Sequence, residues 1–144
     1  MQCKVTDIFV PDFRRHLLRL LIAWRVSAGF PSPAEDYIES RIDLNKDLIH
    51  HPLSTFYVRV GGDSMQPTVS EGEILVVDKM VETKCKDVVV AIINNEFCVK
   101  RLRIEQDGKI WLDSDNENYE SLAIDEFTDF EVWGKVMYSI KSLK

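Results

Sequence analysis

From Thr55 onward, apolar and polar positions alternate in short blocks bounded by turn residues, which is the pattern of strands rather than helices. Phe56-Tyr57-Val58-Arg59-Val60 ends at Gly61-Gly62. Glu73–Asp78 encloses the compact apolar run Ile-Leu-Val-Val, and Asp87–Ile93 is rich in valine. Asn94-Asn95 predicts a hairpin turn into Glu96–Ile104. Asp107-Gly108, the strongest hairpin signal in the chain, leads into Lys109–Leu112, and Phe130–Ile140 closes the pattern. Half a dozen strands with short turns predict a mainly β domain, mostly antiparallel.

The first fifty residues read differently. Phe13, Leu17, Leu20, Leu21 and Trp24 follow helical spacing and predict a short amphipathic helix between Pro11 and Val26. Residues 27–33, Ser-Ala-Gly-Phe-Pro-Ser-Pro, break that pattern, because Pro31 and Pro33 push Phe30 and Ser32 toward extended backbone. Ser32-x-x-Glu35 then reads as a capping box with Pro33 at the first helical position, predicting a helix through Ile42. Asp43 to Ile49 predicts a further short helical turn. The expected organisation is an N-terminal helical arm, residues 1–28, followed by a β-rich domain, residues 29–144.

Composition narrows the class. A chain of 144 residues with 45% hydrophobic and 29% charged positions can build one soluble core plus an arm. The longest apolar stretch, Leu17 to Trp24, is interrupted by Arg19 and falls far short of the roughly 20 residues of a bilayer span, so no membrane anchor is expected. Cys3, Cys85 and Cys98 form no CxxC pair and are odd in number, which points to a reducing, cytoplasmic setting with no zinc site and no cofactor. The net charge of −6 is uneven: residues 1–28 carry five basic and two acidic side chains, or +3, leaving −9 for the rest. So acidic a body is a poor binder of nucleic-acid backbones, and no sequence-specific DNA binding is expected.

The candidate chemistry is a serine and a lysine 36 positions apart. Ser64 lies in Gly62-Asp63-Ser64-Met65, just beyond a predicted strand. A serine hydroxyl needs a base, and His16, His50 and His51 are poorly placed to supply one. Lys100, within Phe97-Cys98-Val99-Lys100-Arg101-Leu102, can serve if burial lowers its proton affinity. Backbone amides around Asp63 and Ser64 are placed to stabilise an oxyanion. Ala28–Gly29, in the extended linker, is a bond such a pair could cut within its own chain.

At these residues the chain resembles the serine–lysine self-cleaving family of LexA repressors and UmuD proteins. The matching segments include Gly29-Phe30-Pro31-Ser32-Pro33-Ala34, Arg41-Ile42-Asp43-Leu44-Asn45, Gly62-Asp63-Ser64-Met65, Leu75-Val76-Val77-Asp78 and Glu96 to Leu102. The resemblance implies a LexA/UmuD-type catalytic domain that forms a homodimer. Ser64 would be the nucleophile, Lys100 the base, Asp63 and Met65 site-shaping neighbours, and Ala28–Gly29 the scissile bond. It further implies cleavage stimulated by a RecA–single-stranded-DNA filament. The trimmed dimer would join a UmuC-like Y-family DNA polymerase for error-prone translesion synthesis in the SOS response, with the replicative sliding clamp as a further candidate partner. Lys86-Asp87 departs from the family's common Gly-Asp, and Glu73 replaces a frequent Asp. Two other readings remain. One is a structural polymerase-binding dimer with a vestigial dyad. The other is a signal-peptidase-like processing enzyme, disfavoured by the missing anchor.

Overall fold

The computed structural model describes residues 3–12, 18–22 and 38–144, with backbone alone for 18–22 and 38–43. In chain order the elements are β1 (Lys4–Phe9), β2 (Leu18–Ile22), β3 (Ile38–Asp43), α1 (Leu44–Leu48), β4 (Thr55–Gly61), β5 (Ile74–Asp78), β6 (Val88–Ile93), β7 (Glu96–Ile104), β8 (Ile110–Asp113), β9 (Leu122–Ile124) and β10 (Phe130–Ile140). A 3₁₀ turn, Pro52–Ser54, precedes β4. Two compact units result: Met1–Val10 with Leu53–Lys144, and Pro11–Pro52.

The larger unit is one antiparallel sheet of eight strands in the order β1-β4-β5-β10-β6-β7-β8-β9. β1 also touches β7, through the pair Lys4 and Cys98. Six strands, β1, β4, β5, β10, β6 and β7, therefore follow one another around a ring that closes at β1. The predicted turns are present. Asn94 and Asn95 take positive φ, 49° and 68°, in the β6–β7 hairpin, and Gly108 (φ 86°) turns β7 into β8. Lys86 also sits at φ 79°, where a side chain is strained, at the position where the family commonly has glycine.

Alternation along the strands builds the core. Val58, Val60, Leu75, Val77, Val90 and Val99 pack together with Met65 and Cys3. Val89, Ala91, Cys98, Leu102 and Leu112 form a second cluster. β7 feeds both, Val99 to the first and Cys98 and Leu102 to the second, as the period of two requires. Each buried valine or leucine contributes about 1.5–3 kcal/mol, so this double use makes β7 a central element of the unit.

The smaller unit corrects two helix expectations. Leu18–Ile22, inside the predicted arm helix, is strand β2, and Ile38–Asp43, inside the predicted second helix, is strand β3. The two pair antiparallel, with Leu20 opposite Arg41 and Ile22 opposite Ile38. Short apolar runs fit either period, and strand pairing decided between them. The remainder of both predicted helices lies outside the described residues, as do Ala28 and Gly29. The short helical turn after Asp43 is present as α1. Among the described residues no helix is long and apolar enough to cross a membrane.

Candidate active site

β4 runs out at Gly61, and Gly62 (φ 85°) swings the chain into the turn that carries Ser64. The left-handed backbone at Gly62 suits a residue without Cβ. Gln66 N donates to Asp63 O at 3.2 Å and Val69 N to Met65 O at 2.9 Å, tightening the turn behind the serine. Met65 is fully buried and pins the turn onto the apolar core. Ser64 itself has 0% exposure.

Lys100 is carried by β7, which like β4 borders β1. On the edge of β7 away from β6, Cys98 faces β1 and Arg101 begins the pairing with β8. Lys100 lies at this junction, on the Cys98 side of the strand, with 5% exposure. Burial holds its amine below the ordinary lysine value of 10.5, with Cys98 and Cys3 acting in the opposite direction. That is the change a lysine needs to act as a base near neutral pH. Its Nζ donates to Ser114 Oγ at 2.7 Å.

A loop of polar residues after β8 ties the two halves together. Asn116 N donates to Ser64 O at 3.0 Å, and Asn116 Nδ2 to Asp63 O at 3.0 Å. Tyr119 Oη donates to Asp63 Oδ1 at 2.5 Å, the main reason the Asp63 carboxyl stays below its usual range. Arg101 grips Asp115 through Nε and Nη2, both at 2.7 Å, and Thr68 Oγ1 also donates to Asp115. One loop thus fixes the serine turn through Asn116 and Thr68, and the lysine strand through Ser114 and Arg101. Asp63 serves as an anchor for this loop, so its carboxylate shapes the turn.

Of the residues singled out in the sequence, Asp63, Ser64 and Met65 share one turn and Lys100 lies on β7, linked to that turn through the loop that carries Ser114 and Asn116; Ala28 and Gly29 lie outside the described residues. The sequence did not single out Ser114, Asp115, Asn116 and Tyr119. Asp-Ser-Asp-Asn after a strand reads only as a turn, and no spacing rule links it to Ser64. Cys3 was also missed as a neighbour of the site. Its backbone N donates to Ser64 Oγ at 2.6 Å, and its side chain is fully buried. Burial pushes that thiol up to about 11. Among the described residues no group of three or more His, Cys, Asp or Glu could hold a metal ion.

A sheet that buries a serine at a turn and a lysine of lowered proton affinity carries the parts of a serine-type peptidase. The chain belongs to the Peptidase S24-like family, whose profile matches residues 20–137. The resemblance to the self-cleaving LexA and UmuD family, drawn from the motifs, is borne out. Protein ImpA of Salmonella typhimurium is 38% identical over 128 residues, covering 88% of each chain. Protein SamA of Salmonella typhimurium is 39% identical over 123 residues, 85% of this chain and 86% of its own. Protein MucA of Escherichia coli is 37% identical over 118 residues, 81% of this chain and 80% of its own.

Proposed function

We propose that this chain is a UmuD-like self-cleaving accessory subunit of an error-prone translesion DNA polymerase in the SOS response. Neutral Lys100 takes the Ser64 proton, and Ser64 Oγ attacks the Ala28 carbonyl. The resulting oxyanion collapses, the Ala28–Gly29 bond breaks, and Lys100 returns its proton to the departing Gly29 amine. Water activated by the same lysine then hydrolyses the Ala28 ester, restoring Ser64 and releasing residues 1–28. Because substrate and nucleophile share one chain, the effective concentration is high, and control falls on which pose is populated. A RecA–single-stranded-DNA filament would act by favouring the cleavable pose. The trimmed protein, as a cytoplasmic homodimer, would then join a UmuC-like Y-family polymerase, with the sliding clamp as a further contact.

The observation that carries this reading is the shared loop. Ser114 accepts from Lys100 Nζ, and two positions further on Asn116 N donates to the Ser64 carbonyl, so one loop links the lysine to the serine turn, which supports the reading. The test is intact-mass spectrometry with and without an activated RecA filament. The wild type should yield a fragment beginning at Gly29, faster with filament, and Ser64→Ala should yield none. A wild type that stays whole under both conditions points instead to a structural subunit with a vestigial dyad.

A further inference from the structure

The groove beside Ser64 is already filled by the start of the same chain. β1 pairs antiparallel with β4 from Lys4 opposite Gly61 to Phe9 opposite Tyr57. At its other side Val99 N donates to Cys3 O at 3.0 Å, and Lys4 pairs with Cys98. Cys3 N donates to Ser64 Oγ, and the Cys3 side chain is sealed among Met65, Val60 and Val99. An extended segment lying between the ends of two strands, with its backbone against the serine and a small side chain in an apolar seat, is bound as a β-added peptide would be. A substrate carbonyl must reach Ser64 through this same space, yet Ser64 has no exposed surface.

We propose that Cys3–Phe9 is an internal competing strand that blocks the strand-accepting groove of Ser64, and must leave before the cleavage-site segment can enter. This rests on the self-cleavage reading above. The seat is built to be vacated. Along β1 only Val5 is partly buried and every other position is exposed, so its hold comes from Cys3, Val5 and the ladder to β4. Elements with so few buried contacts open at the low end of a protein's stability range. Chain order fits the arrangement, because β1 precedes Ala28 and cutting there would remove the blocking strand together with the arm.

The experiment compares first-order cleavage at alkaline pH with the rate at which a maleimide labels Cys3 in the Ser64→Ala protein, where no cutting occurs. Cys3→Arg cannot occupy the apolar seat. Gly61→Val brings a Cβ to 3.2 Å from Thr6 Cγ2 and loosens the strand from the β4 side. Either, at a melting temperature within a few degrees of wild type, should cleave about tenfold faster, a change equal to roughly 1.4 kcal/mol. Asp7→Cys with Arg59→Cys joins an exposed cross-strand pair and should cleave at least tenfold slower oxidised than reduced. Cys3 labelling should slow in the same oxidised protein. Cleavage that proceeds equally in the locked and unlocked forms overturns the proposal, as does rapid labelling of Cys3 in a stable protein. Slow Cys3 labelling with no wild-type cleavage at any pH would instead leave the groove sealed and overturn the protease reading.

Discussion

β7 and β1 both lie against the Ser64 turn, yet they are held in opposite ways. β7 is paired to β6 from Glu96 to Arg101 and to β8 from Arg101 to Ile104, and its middle from Cys98 to Lys100 is buried. β1 has a ladder on one side only, to β4, broken by a register shift between Val5 and Asp7, and meets β7 at a single pair. On the proposed reading Lys100 is the base, and a base must keep its geometry through the reaction, which a strand feeding both core clusters provides. A blocking segment must leave, and β1 would take only Cys3 and the partly buried Val5 out of the first core cluster, leaving the second untouched. On that reading, placement in the sheet separates permanent machinery from removable cover.

The largest expected effect on the fixed side comes from Asp115→Ala. It strips the bidentate partner from Arg101 and the acceptor from Thr68, and should destabilise by about 2 kcal/mol, read from the urea midpoint. The same carboxyl gives a pH signature. Hydrogen bonding to Arg101, and for Asp113 to Arg103, holds both below the ordinary value of 3.8. The unfolded chain therefore takes up these protons first, and stability should fall as pH drops from about 4 through the lowered values. In Asp115→Ala that acid loss should shrink.

Ser114→Ala should come next. Losing the acceptor for Lys100 Nζ should slow self-cleavage about tenfold near neutral pH, the worth of one hydrogen bond of about 1.4 kcal/mol. Ser114→Thr should restore most of the rate, and the pH at half-maximal rate should move in Ala but not in Thr. A change in melting temperature with an unmoved pH profile would make Ser114 merely structural. Lys86→Gly should have the smallest effect and the opposite sign. It relieves positive φ in the turn whose amide donates to Leu102 O, and should stabilise by about 0.5 kcal/mol in thermal unfolding.

Legibility follows the same division. The hairpins at Asn94-Asn95 and Asp107-Gly108 were readable because both turns need backbone conformations that few residues accept. Ser64 and Lys100 stood out because a serine after a glycine turn and a lysine within an apolar strand are each locally unusual, and both prove to be buried. β1 was not readable: Lys-Val-Thr-Asp-Ile-Phe has no strong period, and its strand state depends on an edge supplied by β4 over fifty residues later. β2 was misread for a related reason, since Leu18–Ile22 becomes a strand by pairing with β3. Ser114 and Asn116 were hidden because their roles exist only once β8 lies beside β7.

The central claim is that a neutral Lys100 activates Ser64, and the pH profile of self-cleavage tests it most directly. With burial holding Lys100 below 10.5, the first-order rate in the wild type should climb with pH and level off below that value, while Lys100→Ala and Ser64→Ala stay uncut throughout. A rate that does not change with pH, or fragments released from either variant, would contradict it.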